Sequence, residues 1–332
     1  VTRCAVIGAG AWGTALADLM ATSGHHVHIW AYEADVVQSI NDVHENRRFL
    51  AGARLSEQLI ATNEQPVALE GAELVVYATP SNHLRSIARA AASCVQPGAI
   101  LAVASKGIEL GSMALMTDVI ASEVPNHSVV ALSGPSFASE VAARQPTAVV
   151  AASDAPDAAL FVQEAMSSRT FRIYTHDDVV GVELGGALKN VMALATGILE
   201  GVGLGFNSRA ALITRGLAEM TRLGMSLGAR AATFAGLAGI GDLVLTCTGA
   251  LSRNRALGVE IGRGKTLDEA RAGKETVAEG VVTTASTIEL AAREGVEMPI
   301  AEMVYRILFD HHPAKLAAQE LMTRELRAEQ DV

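Results

Sequence analysis

The sequence predicts an α/β domain built on a largely parallel sheet, followed by an all-helical domain. Three observations carry this. A GxGxxG run lies between a strand-like and a helix-like segment near the start. Strand and helix patterns then alternate through the first half, which implies a parallel sheet with helices on both faces. From residue 178 onward the strand signals stop and long apolar helical patterns replace them, a shift that marks a domain boundary. The two domains are therefore placed at 1–178 and 179–332, and 332 residues suffice for two cores.

Residues 2–7 read as a buried strand that runs into Gly8-Ala9-Gly10-Ala11-Trp12-Gly13, with a helix from 14 to 23. This is the context in which GxGxxG binds a dinucleotide. Gly8 permits the tight turn, Gly10 lets the backbone approach a pyrophosphate, and Gly13 lets helix and strand pack. The free N–H groups of the helix start then face the phosphates. A second strand, 26–30, leads into Ala31-Tyr32-Glu33. A carboxylate near here would hold the ribose 2′-OH of NAD; Glu33 comes one place late. Arg47 and Arg48 either reach a 2′-phosphate, which favours NADP, or form a solvated surface.

Further strands are expected at 59–62, 74–78, 100–104, 129–132, 148–152 and 171–174. In such sheets ligands sit beyond the carboxyl ends of the strands. Three ends stand out. Ser81, after Thr79-Pro80, either caps the next helix or touches a cofactor. Lys106 is the only lysine of the first half. The run Ser133-Gly134-Pro135-Ser136-Phe137-Ala138 places a proline where a helix would start and leaves N–H groups free. It is either an anion site or ordinary turn chemistry.

In the second half, helices are expected at 179–199, 207–226, 229–236, 252–262, 280–294, 299–310 and 313–322. The first is apolar nearly all round, as a buried helix is, yet it carries Lys189 beside Asn190. Burying an ammonium is costly unless it is paired. Lys189 either snorkels its charge to water or serves chemistry. The chain has five lysines in all. Asp242 is the only charge in GLAGIGDLVLTCTG, 236–249. It is either the partner of Lys189 or the cap of the helix that follows Gly241. Ser252-Arg253-Asn254-Arg255 then offers guanidinium forks and a hydroxyl at a helix start, which suits a phosphate; the alternative is a surface helix. The acidic tail, 325–332, reads as a frayed terminus.

Composition narrows the class. The net charge is −10 and no basic run exists, which argues against nucleic acid as a partner. Residues 1–184 hold 10 Lys+Arg against 19 Asp+Glu, and residues 185–332 hold 16 against 17. An anionic ligand therefore needs locally placed cations. Three cysteines without CxxC spacing favour a reducing compartment. No metal-ligand set is read. No apolar run reaches about 18 uninterrupted residues, so no transmembrane helix is expected. The start shows no charged n-region of a signal peptide. A cytoplasmic protein is expected, and the apolar faces of its helical half suit a homodimer.

Five motifs occur together and in order: GAGAWGTALA at 8–17, SKG at 105–107, SGPSFA at 133–138, LGGALKN at 184–190, and GDLVLTCT with SRNR across 241–255. In these the chain resembles the bacterial type of NAD(P)-dependent sn-glycerol-3-phosphate dehydrogenase, nearly end to end. The resemblance implies an N-terminal Rossmann-type domain and an all-α C-terminal domain like that of 6-phosphogluconate dehydrogenase. It implies reduction of dihydroxyacetone phosphate to sn-glycerol 3-phosphate with NADPH or NADH, reversibly, for phospholipid synthesis. It implies cofactor contacts at Gly8, Gly10, Ala11, Trp12, Gly13, Tyr32, Lys106, Ala138, Arg253, Val277 and Glu279. Ala11 replaces a frequent Ser, and Tyr32 a frequent His or Arg. It implies substrate contacts at Lys106, Gly134, Ser136, Lys189, Asp242, Ser252, Arg253 and Asn254, with Lys189 as proton acceptor assisted by Lys106 and Asp242. Thr246 fills a family slot without an assigned role. Two rivals remain: a related two-domain dehydrogenase of another phosphorylated sugar or hydroxy acid, and a dinucleotide sensor without turnover. The first does not account for SRNR after GDLVLTCT, and the second has no need of Lys189 beside Asp242.

Overall fold

The computed structural model describes residues 1–273, 278–325, 328 and 329. It divides into two compact units, Val1–Lys106 with Leu115–Val179, and Gly107–Ala114 with Val180–Val332. The excursion at Gly107–Ala114 is a detail that a single boundary does not contain.

The first unit carries eight strands: β1 (Arg3–Ile7), β2 (His26–Trp30), β3 (Leu59–Thr62), β4 (Leu74–Tyr77), β5 (Ile100–Val103), β6 (Val129–Ser133), β7 (Thr147–Ala152) and β8 (Phe171–His176). They form one sheet in the order β3-β2-β1-β4-β5-β6-β7-β8. The run from β3 to β6 is parallel, and the order reverses direction beside β1, as in a Rossmann-type sheet. β7 enters antiparallel to β6, with Ala131 opposite Ala152, and β8 runs parallel to β7. The sheet is thus mixed at one side. β4 is buried at all four positions, as a strand covered on both faces must be.

Helices α1 (Ala11–Thr22), α2 (Ala34–Val43), α3 (Gln65–Leu69), α4 (Ser81–Ala91), α5 (Met116–Glu123), α6 (Ala138–Ala142) and α7 (Pro156–Met166) connect these strands. α1 packs on α6 and α7, and α4 packs on α5. Two local expectations change. Ser81 is the first residue of α4, Pro80 occupies the cap position, and no side chain caps the helix. Pro135 starts no helix: the chain bends at Gly134 and Pro135, Phe137 is extended, and α6 begins at Ala138.

The second unit is helical: α8 (Val179–Val202), α9 (Phe206–Ser226), α10 (Ala231–Phe234), a π-helical turn (Leu237–Gly241), α11 (Asp242–Thr248), α12 (Arg253–Gly262), α13 (Leu267–Arg271), α14 (Glu279–Glu294), α15 (Pro299–Phe309) and α16 (Ala314–Met322). α8 is buried continuously from Gly181 to Ile198. The helix expected at 229–236 shrinks to the single turn α10. The chain then folds back so tightly that a Cβ on Gly239 would lie 2.1 Å from the Phe234 carbonyl oxygen. So close an approach requires glycine, and the chain continues as the π-helical turn rather than as an α-helix.

By length and hydropathy alone, two described segments, Val179–Val202 and Ala231–Thr248, are long and apolar enough to cross a membrane. The window in α8 is 89% buried within the fold, as the core helix of a globular unit is.

Candidate active-site residues in the two units

The glycine-rich turn of the first unit is shaped by sterics. Gly8 has φ +116°, and a Cβ there would lie 2.8 Å from the Ala78 carbonyl oxygen. A Cβ on Gly13 would lie 1.9 Å from the Gly8 oxygen, so helix and turn touch backbone to backbone. A Cβ on Gly10 would meet nothing within 4 Å: the space beside it is open. Gly10 stands at the cap position of α1 with no side chain capping the helix, so the first N–H groups are directed at that space. A pyrophosphate fits this cradle. Ala11 and Trp12 can offer backbone there. The Trp12 ring packs inward, 6.4 Å from the Phe171 ring centroid. Tyr32 follows β2 and is exposed.

A residue that the sequence reading passed over supports this turn. Asn46 is completely buried, and its amide donates to the Ala9 carbonyl at 2.8 Å and to the Thr14 hydroxyl at 2.8 Å. Its own carbonyl accepts from the Phe49 N–H at 3.0 Å. Its neighbour Arg47 pairs with Glu45 at 3.5 Å, and Arg48 pairs with Asp35 at 3.5 Å while its guanidinium stacks on Phe49.

At the ends of β5 and β6, Lys106 Nζ donates to the Gly134 carbonyl at 3.0 Å, and the Ser136 hydroxyl donates to the same oxygen at 3.0 Å. Gly134 has φ +139°, and a Cβ would lie 2.9 Å from Val149 Cα. Ammonium, hydroxyl and backbone turn are thus tied into one group at the ligand side of the sheet. Ala138 opens the next helix.

In the second unit, Lys189 and Asp242 form a direct ion pair. Lys189 is 8% exposed and Asp242 is fully buried. Asp242 is the first residue of α11, and Gly241 occupies the cap position. The Thr246 hydroxyl donates to the Asp242 backbone oxygen at 2.7 Å and lies 3.3 Å from the carboxylate. α8 approaches this segment closely because Gly185 has no side chain; a Cβ would lie 2.3 Å from the Ala238 oxygen. Cys247, also buried here, has its thiol pushed up to about 12 by burial, with Lys189 opposing the shift. That thiol stays protonated and unreactive at neutral pH.

The SRNR motif sits where α12 begins. The Ser252 hydroxyl caps the helix, accepting from the Arg255 N–H at 3.2 Å. The buried Asn254 amide donates to Asn190 Oδ1 at 3.0 Å and accepts from the Gly280 N–H at 3.0 Å. It therefore ties α8, α12 and α14 together and keeps one N–H to offer elsewhere. Arg253, in the first helical position, is exposed. Arg255 is instead turned to Glu200, with three contacts of 2.8 to 3.1 Å. Glu279 begins α14 and is half-buried. Val277 lies outside the described residues. Sequence reasoning named Asn190 and Arg255 without giving either a role of its own, and it passed over Glu200, to which no motif pointed.

Comparison with known proteins finds relatives that span both units. The family described as NAD-dependent glycerol-3-phosphate dehydrogenase matches through its N-terminal part at residues 3–159 and its C-terminal part at residues 178–319. The chain is 52% identical over 330 residues to a glycerol-3-phosphate dehydrogenase [NAD(P)+] of Geobacter sp. (strain M21), covering 98% of each chain. The same figures hold for the protein of that name from Geobacter sulfurreducens. Among solved structures, a glycerol-3-phosphate dehydrogenase from Coxiella burnetii superposes with a TM-score of 0.94 at 40% identity, over 97% of this chain and 99% of that one.

Proposed function

The chain belongs to the NAD-dependent glycerol-3-phosphate dehydrogenase family, and on that premise we propose that it interconverts dihydroxyacetone phosphate and sn-glycerol 3-phosphate with NAD(P)(H). The product would serve glycerophospholipid synthesis. The observation that carries the mechanism is the buried Lys189–Asp242 pair. An ammonium removed from water in a core helix calls for a reason beyond stability, since apolar residues would serve stability as well or better.

When bound in the Gly8–Gly13 cradle, the dinucleotide supplies the hydride. As negative charge grows on the C2 carbonyl oxygen, Lys189 donates a proton to it. In the oxidative direction neutral Lys189 takes the proton from the alcohol. Asp242 orients the amine and balances its charge. Thr246 steadies the carboxylate. Lys106, fixed by the Gly134 carbonyl, adds positive charge for the developing oxyanion. Arg253 meets the phosphate with its guanidinium, assisted by the N–H groups that open α12. That local cation is how a chain of net charge −10 binds a dianion. We place the protein in the cytoplasm, which suits three free cysteines, and expect a homodimer.

The test is a set of initial rates with dihydroxyacetone phosphate and with unphosphorylated dihydroxyacetone, each under NADPH and NADH. The phosphorylated ketone is the preferred substrate. Arg253→Ala raises KM for it by about a hundredfold, a bidentate charged contact of roughly 1.5–3 kcal/mol, and changes KM for the unphosphorylated ketone little. An equal effect on both ketones removes Arg253 from the phosphate site.

A further inference from the structure

We propose that Glu200 is a positioning residue for the phosphate site, acting on Arg253 through Arg255. The proposal rests on the reading of Arg253 given above. Glu200 lies in the last turn of α8, where a carboxylate opposes the helix dipole. Its presence there calls for partners, and it has two. Arg255 of α12 grips both oxygens, with Nη2 at 2.9 Å from Oε1 and 2.8 Å from Oε2, and Nε at 3.1 Å from Oε2. Arg209 of α9 adds Nη2 at 2.8 Å from Oε2. All three side chains are largely buried, at 17% exposure for each arginine and 31% for the glutamate.

The consequence for Arg253 is geometric. Residues two apart on a helix do not share a face. Clamping Arg255 to α8 turns Arg253 away from α8, and Arg253 is indeed exposed. The clamp also stiffens the helix start that presents it. The backbone of α12 presses on α8 at the same point: a Cβ on Gly197 would lie 2.1 Å from the Arg255 carbonyl oxygen. Arg255 N–H meanwhile holds the Ser252 cap. Without the carboxylate, Arg209 and Arg255 face each other with no counter-charge. Arg255 then leaves α8 and disturbs both the cap and the direction of Arg253.

The experiment is a double-mutant cycle on KM for dihydroxyacetone phosphate, using the full-length enzyme and the variants Glu200→Gln, Arg253→Ala and the pair. Misplacing a binding group by about an ångström costs up to a hundredfold. Glu200→Gln is accordingly expected to raise KM about ten- to a hundredfold, with kcat within about twofold of the parent. Glu200→Asp, which keeps the charge, recovers part of the loss. In the Arg253→Ala background Glu200→Gln adds little, because the group it positions is gone. Unphosphorylated dihydroxyacetone is insensitive to Glu200→Gln. The proposal is overturned if Glu200→Gln leaves KM unchanged, shifts kcat and both ketones alike, or adds its full effect on top of Arg253→Ala. If Arg253→Ala itself leaves KM unchanged, it is the phosphate-site reading that fails.

Discussion

Lys189 and Asp242 hold one another in place, and each is a liability alone. Removing one partner of a buried pair leaves an uncompensated charge, at about 3–5 kcal/mol. Lys189→Ala is therefore expected to lose stability of that order in urea unfolding. The joint replacement Lys189→Met with Asp242→Leu recovers most of it, because packed apolar groups tolerate the site. A single Lys189→Ala within about 0.5 kcal/mol of the parent would mean that the amine is solvated rather than buried. The sequence was legible here through oddity: a lone lysine and a lone aspartate, each in an apolar run, are readable as partners without coordinates. Asn46 and Glu200 were not, because Asn46 lies in a polar loop and Glu200 near the end of α8, where a polar residue surprises no one. Their burial comes from which backbones they meet.

At the scale of elements, the contact between α8 and α12 is made by glycines on both sides. Gly197 and Gly201 face the Arg255 and Val259 carbonyls, at 2.1 and 2.3 Å from a hypothetical Cβ, while Gly258 and Gly262 face those of Leu194 and Ile198 at 2.3 and 2.2 Å. The backbones touch, so one methyl must push the helices apart. Gly197→Ala should cost about 1–3 kcal/mol by overpacking and raise KM for the phosphorylated ketone, since α12 carries SRNR. A Gly197→Ala variant with unaltered thermal midpoint and KM would show that the seam has slack. The eight strands were legible because buried parallel strands are short apolar runs bounded by turns. The direction of β7 was not: Ala148 to Ala152 has the same composition either way, and pairing decides it. The breakdown of the helix at 229–236 was also hidden, because the glycines at 236 and 239 signal only that close approach is allowed.

For the whole molecule, stability should depend on pH in a way that one buried acid dominates on the neutral side. Glu219 of α9 accepts from the Ile300 and Ala301 N–H groups at the start of α15, at 2.8 and 3.4 Å. Burial nevertheless pushes its carboxyl up to about 7, from an ordinary value of 4.5. A group raised in the folded state contributes stability that is complete below about 4.5 and lost as pH rises through about 7. The burial of Asp18 acts in the same sense. Glu123 does the opposite: hydrogen bonds from Arg89 and Arg85 hold its carboxyl at about 2, so its contribution is lost as pH falls toward that value. Between pH 5 and pH 8 the parent should lose stability on the order of 3 kcal/mol from Glu219, and Glu219→Gln should flatten that decline. An identical decline in the variant would place the titration elsewhere.

The two-part plan of the chain was visible from the change of pattern at residue 178, and the five motifs placed candidate residues in both units. What joins these scales is the proton that Lys189 exchanges with the substrate oxygen. The most direct measurement is turnover of dihydroxyacetone phosphate by Lys189→Met, with nucleotide affinity followed in the same preparation by cofactor fluorescence. Loss of a general acid predicts a fall of about 10²–10⁴ in kcat with nucleotide affinity unchanged. A variant that binds nucleotide normally and turns over within about tenfold of the parent would contradict the account.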